Sequence, residues 1–213
     1  MSKSLKTSRN PAATKQRLVG ATLGLMLRQG FNATTVDQIC AEAKLTKGSF
    51  FHYFDTKEEI GRAAVDFFAQ VGTDLYSEAW KDAEVPALEQ LHRLFDIMIG
   101  FAKQPEPLVC MVGMMSQEMS LTHPEFRKAC AGHLDVWSDM VIRMLNGAKK
   151  AHRPKVNFDS AEVAWFLNSL WQGSMLIGKV KQDPRLVIRN LKRARAYVDS
   201  LFGDIKVPPK KRK

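Results

Sequence analysis

Residue types that can engage a polyanion are gathered between Thr34 and Lys57. Thr34 and Thr35 precede an apolar-periodic stretch, where hydroxyls and free backbone amides at a helix start favour a phosphate. Thr35 and Gln38 have the spacing of a capping box, which opens a short helix over Val36–Ala43. After the Lys44-Leu45 turn, Thr46 caps a second short helix over Lys47–Tyr53. Its first turn offers Lys47 and Ser49, and Gly48 between them lets the backbone come close to a partner. In an exposed helix that glycine costs about 1 kcal/mol relative to alanine, so something must offset it. Phe50, His52 and Tyr53 complete the second helix, the last two adding polar reach, and Lys57 is placed one turn on for a second phosphate. Two short helices joined by a tight turn behind a stabilising first helix form a helix-turn-helix, whose second helix enters the major groove of DNA. The bland reading of the same residues is an ordinary helical hairpin.

Charge favours the first reading. Residues 1–54 carry eight Lys/Arg against Asp37 and Glu42, and five more basic residues lie in the terminal KVPPKKRK, within a formal net charge of +10. The 151 residues between hold 19 positive and 20 negative groups. A basic head on a neutral body points to a polyanionic partner, against the plain alternative of solubilising ends.

Other chemistries find little support. There is no nucleotide-binding glycine loop, no Gly-x-Ser-x-Gly and no Cys-x-x-Cys, so no catalytic residue and no cofactor is expected. Cys130, His133 and His123 are too scattered for a metal site. The three cysteines (Cys40, Cys110, Cys130) cannot all pair, which suits a reducing, cytoplasmic setting. With 45% hydrophobic and 25% charged residues the chain is globular. Its longest apolar run, Val163 to Gly178, is 16 residues and is interrupted by Asn168, Ser169, Gln172 and Ser174. That is short of the ~18–20 residues of a membrane span.

Helix signals occupy the whole chain and strand signals are almost absent, which predicts an all-α fold of about nine helices. The first helix spans Ala12–Gln29 with Leu18, Ala21, Thr22, Leu25 and Met26 on its inner face, and Gly30 ends it. Asp55/Glu58 and Thr56/Glu59 offer overlapping caps for a long helix to about Lys81. Further helices are expected from Pro86 to Phe101, from Leu108 to Met119, and from Pro124 to Lys150. Two more follow, from Asp159 to Lys179 and from Asp183-Pro184 to Gly203. The expected organisation is a basic arm (1–11), a helix-turn-helix domain (12–56), a helical body (57–203) and a basic tail (204–213).

The stretch TTVDQICAEAKLTKGSFFHYFDTKEEI, with the preceding helix ending in Gly30-Phe31, resembles the DNA-binding signature of the tetracycline-repressor family over roughly residues 14–64. The resemblance implies a homodimeric, bacterial, cytoplasmic transcription regulator, nucleoid-associated when bound. It further implies a three-helix head that binds a palindromic operator in double-stranded DNA, and a variable body that dimerises and binds a small molecule. One departure is Phe51, where the family often has a tyrosine whose hydroxyl reaches a phosphate. That contact is lost here, leaving Tyr53 or His52 to substitute, or Phe51 to pack against the first helix.

Within the body, Ala161, Ala164, Trp165, Asn168, Trp171 and Met175 make one apolar stripe, and Leu186, Leu191, Ala194, Val198, Leu201 and Phe202 part of another. They are expected either to pair with their copies across a two-fold axis or to form the protomer's own core. Phe95, Phe101, Met111, Met114, Met115, Trp137, Met140 and Trp165 are the candidate lining of a ligand pocket, with ordinary core as the alternative. Cys110 joins them at a helix start, where the dipole lowers a thiol pKa. The segment PLVCMVGMMSQEMS also resembles an electrophile- and oxidant-responsive subgroup of the family, in which a cysteine here is the sensor; an inert buried cysteine is the alternative. The terminal KVPPKKRK reads as an arm adding non-specific DNA affinity or as a nuclear-localisation signal. The rival functions are a non-specific nucleic-acid binder and a helical ligand-binding protein or enzyme.

Overall fold

The computed structural model describes residues 11–82, 84–104 and 109–203. Among the described residues there are nine α-helices and no strand. They are α1 (Pro11–Gln29), α2 (Val36–Ala43), α3 (Lys47–Phe51), α4 (Lys57–Ser77), α5 (Ala87–Phe101), α6 (Met111–Met119), α7 (Pro124–Ala151), α8 (Ser160–Lys181) and α9 (Pro184–Phe202). The basic arm, the Pro105-Glu106-Pro107 break and the KVPPKKRK tail lie outside the described residues. Among the described residues no helix is long and apolar enough to cross a membrane.

Local chemistry sets the boundaries. α2 has the expected bounds, because the Thr35/Gln38 capping box forms in full. α3 stops at Phe51 and not Tyr53, since the Tyr53 amide turns back to the Phe50 carbonyl at 2.9 Å and tightens the last turn. α4 likewise ends at Ser77 and not Lys81: the Ala79 and Trp80 amides bond the carbonyls of Tyr76 and Ser77, three residues back. Of its two possible caps, Thr56 forms, accepting from the Glu59 amide at 3.1 Å, while Glu59 accepts from the Asp55 amide at 2.8 Å. α6 begins at Met111, so Cys110 precedes the helix. Two helices end in left-handed residues that no glycine announces, Lys44 (φ 51°) after α2 and Gln182 (φ 50°) after α8.

The chain divides into two compact units along other lines than the sequence suggests. One runs to Val71 and resumes over Met111–Ala131, taking in α6 and the start of α7; the other holds Gly72–Cys110 and the chain from Gly132 on. The division falls within α4 and within α7.

In the first unit, Leu18, Met26, Phe31, Ile39, Phe50, Ile60 and Phe126 are essentially shut off from water. Val19 is buried where the spacing pointed to Ala21, which is only partly covered. Gly61 is where α4 passes over two rings. A Cβ there would stand 2.6 Å from Phe31 Cε2 and 2.9 Å from Phe126 Cζ, so only glycine admits this packing. The turn between α1 and α2 is gripped from both sides. Glu118 of α6 accepts from the backbone amides of Phe31 (3.1 Å) and Asn32 (2.7 Å). Lys57 of α4 donates to the carbonyls of Phe31 (3.2 Å) and Thr34 (3.0 Å), and its ammonium lies 4.2 Å from the Phe31 ring centroid.

The second unit is centred on α5, α8, α9 and the later part of α7, with Leu91, Leu145, Ala164, Val187 and Val198 fully buried. Some of its buried polar groups pair: Asn168 Nδ2 donates to Ser138 Oγ (2.9 Å) and the Leu134 carbonyl (3.2 Å). His92 Nε2 and Asp199 Oδ1 are 2.6 Å apart.

Removing one partner from a charged, part-buried hydrogen bond costs about 1–3 kcal/mol. Glu118→Ala is therefore expected to lower the melting temperature by roughly 3–10 °C, with Glu118→Gln, which keeps an acceptor, losing less. Differential scanning calorimetry reads both; an unchanged transition in the alanine variant contradicts the clamp.

Candidate nucleic-acid interface

The helix pair is assembled by caps at both starts and by buried aromatics beneath. Thr35 Oγ1 accepts from the Gln38 amide at 3.2 Å, and the Gln38 side chain accepts from the Thr35 amide at 2.9 Å. Arg17 of α1 donates to the Ala43 carbonyl at 2.6 Å, tying down the end of α2. Left-handed Lys44 then reverses the chain, and Thr46 caps α3 by accepting from the Ser49 amide at 3.1 Å. Phe50 is fully buried and Phe54 nearly so, their rings 6.1 Å apart, and they anchor α3 from below. Lys47, Gly48, Phe51 and His52 are left exposed on its outer side, with Ser49 and Tyr53 half-buried at its edges.

This sorts the sequence candidates. Lys47, Gly48, Ser49, His52, Tyr53 and Thr35 are accessible. Phe50 is not; it is core. Thr34 is buried and its hydroxyl donates to the Gly30 carbonyl at 2.7 Å, so it holds the turn and offers nothing outward. Lys57 is half-buried, and its ammonium is occupied by the two turn carbonyls and the Phe31 ring. Its role here is a clamp, not a free phosphate ligand.

Asp37 is a site residue that the sequence reading missed, and Phe51 takes a place that the reading left open. Asp37 of α2 holds Lys47 in an exposed ion pair at 2.7 Å and keeps that ammonium more firmly protonated than usual. An ion pair this exposed is screened by water and salt, so a phosphate can displace the carboxylate. Asp37 also adds to burial in pushing the Cys40 thiol up, outweighing the opposing pull of Lys47, so that thiol behaves as a small neutral core residue. Phe51 stands 55% exposed, so it is not buried against α1. Adjacent residues on a helix point about 100° apart and can both be buried, as Ile39 and Cys40 are, so packing and not spacing decides that Phe51 faces outward beside Phe50.

The body candidates are redistributed. Ala164, Asn168, Trp171, Met175, Leu191, Ala194, Val198 and Leu201 are buried in the second unit's own core, and Ala161 is exposed. The apolar side chains that α8 leaves in water are Trp165, Phe166, Leu176, Ile177 and Val180, the last 73% exposed. Trp165, a pocket candidate, is among these exposed side chains. Phe95, Phe101, Cys110, Trp137 and Met140 belong to the second unit, and Met111, Met114 and Met115 to the first. Cys40 and Cys130 are buried and Cys110 is partly exposed. No cluster of three metal-ligating side chains occurs among the described residues.

Comparison with known proteins agrees with this geometry. Residues 18–64 match the model of bacterial regulatory proteins of the tetR family, and residues 87–196, over half of the chain, match the tetracyclin repressor-like C-terminal domain. The transcriptional regulator AcuR of Cereibacter sphaeroides is 29% identical over 171 residues, 79% of this chain and 78% of that one. The HTH-type transcriptional repressor DhaR of Mycobacterium sp. is 25% identical over 170 residues, 79% of this chain and 84% of that one. In fold, the chain resembles the crystal structure of the reduced form of E. coli NemR, with a TM-score of 0.79 at 21% identity, covering 92% of this chain and all (100%) of that one. The chain belongs to the tetracycline-repressor family of DNA-binding transcription regulators, which are not enzymes.

Proposed function

We propose that this regulator is a homodimeric repressor that binds a palindromic operator through α3 and leaves it when a small molecule binds the body. The carrying observation is the outer side of α3, where Lys47, Gly48, Phe51 and His52 are exposed above the buried Phe50. A cation, a bare stretch of backbone and further side chains at one helix surface suit a groove whose walls are phosphate and whose floor is base edges.

Dimerisation is supported by the unpartnered side of α8. Phe166, Leu176, Ile177 and Val180 flank the smaller Ser169 and Gly173, and an added Cβ at Gly173 meets nothing within 4 Å. The Tyr197 ring of α9 stands 5.3 Å from that of Phe166 and extends the patch. Two copies joined here present two α3 helices, which suits half-sites ~34–36 Å apart or at multiples of that spacing.

A ligand site in the body is supported by the buried indole Nε1 of Trp137, which has no hydrogen-bond partner among the described residues. A ligand carrying an acceptor satisfies it, and a buried donor left without an acceptor is a cost. Release requires the ligand to prefer the state in which the two heads no longer match both half-sites; equal affinity for both states shifts nothing. Continuity of α4 from the first unit into the second offers the mechanical link.

Selection of bound sequences from random DNA at ~150 mM salt is expected to recover one palindrome. Binding without a preferred site and with steep salt dependence indicates a non-specific binder, and absence of any shift indicates a ligand-binding protein; either result overturns the proposal. Ile177→Asp, at an exposed position, is expected to turn a micromolar dimer into a monomer in sedimentation velocity and to lower operator affinity at least tenfold. A wild-type monomer, or a variant that still dimerises, removes the α8 interface.

A further inference from the structure

The exposed ring of Phe51 sits on the surface that the proposed function sends into DNA, and a phenyl group there cannot do what its polar neighbours do. It has no hydrogen-bonding atom to offer a phosphate or a base edge. It is 55% exposed, while Phe50 beside it is fully buried with its ring edge-on at a centroid distance of 5.1 Å. It follows Lys47 by four residues and Gly48 by three, so the three share one side of α3.

Gly48 gives a second, independent sign that something approaches this side closely. Its φ is not in the left-handed region, and an added Cβ would meet nothing nearer than Thr46 Oγ1 at 3.8 Å. An alanine therefore fits the free protein and would favour the helix. The fold has no use for the glycine; a partner pressed against the backbone beside Phe51 has.

In the major groove the apolar feature displayed by the base pairs is the C5 methyl of thymine. We propose that Phe51 is a specificity-determining residue that packs on a thymine methyl in each half-site. The proposal rests on the operator-binding reading above. It predicts that this protein selects a T·A pair at one symmetric position by the methyl group, independently of any hydrogen bond at that pair. Lys47 and the basic head hold the duplex near enough for the ring to bury itself.

The test uses the full chain and the palindrome recovered by selection. Each symmetric pair of thymines is replaced in turn by deoxyuridine, which differs only by the missing methyl. Wild-type protein is expected to lose about fourfold in affinity per half-site, roughly 15-fold in all, at one such pair and little elsewhere. Phe51→Ala is expected to bind more weakly and to be indifferent to that same replacement, and Phe51→Leu, which keeps an apolar side chain, to retain part of the sensitivity. If deoxyuridine is tolerated at every position, or if Phe51→Ala keeps the full wild-type sensitivity, Phe51 does not read a methyl and the inference falls alone. If selection returns no defined site, the inference falls together with the proposed function.

Discussion

The presentation of α3 depends on how the short turn Gly30–Thr34 is held. Its amides meet a carboxylate and its carbonyls meet an ammonium, from Glu118 and Lys57 respectively. Opposite charges on opposite edges of the turn oppose rotation of the peptide planes between them, because each plane would have to give up a charge-assisted hydrogen bond. Gly30 takes the left-handed φ of +84° that lets α1 end there, and a Cβ on it would press to 3.0 Å from the Glu118 carboxylate. Phe31 then drops into the core against Gly61 and Phe126. α2 starts one residue after this turn, and α3 hangs from α2 through the Lys44 reversal, so the outer side of α3 inherits its orientation from the turn.

The helix-turn-helix was readable because its determinants are local. Thr35, Gln38, Thr46, Thr56 and Glu59 act over three or four residues, and their hydrogen bonds form as spacing suggested. The clamp was not readable, because Glu118 lies 87 residues from Phe31 and nothing in its neighbourhood announces a distant pair of amides. For the same reason Lys57 looked like a free phosphate ligand: in the sequence it is a cation near a helix start, and only packing reveals the carbonyls and the ring that occupy it. Thr34 was misplaced by the same local logic, its hydroxyl being turned back to Gly30.

The body shows a different limit. α8 is apolar on nearly all sides, with Ala164, Trp171 and Met175 buried and Trp165, Phe166, Leu176 and Ile177 in water. A helix apolar all round has no single stripe, so periodicity cannot say which side meets the protomer and which a second copy. Residue size offers no rescue, since tryptophans lie on both sides. The pocket candidates are large or flexible side chains, and such residues serve core and cavity alike. By contrast the buried Trp137 Nε1, without a partner among the described residues, is a product of tertiary packing that no local sequence pattern announces.

In the proposed complex the outer side of α3 lies in the major groove, twice, on one side of the duplex. Dimethyl sulfate distinguishes the grooves, because it methylates guanine N7 in the major groove and adenine N3 in the minor groove. Protection of guanine N7 in two clusters, one or more whole helical turns apart, with adenine N3 still reactive between them, is the expected pattern. Protection confined to adenine N3, or a single unrepeated cluster, contradicts it.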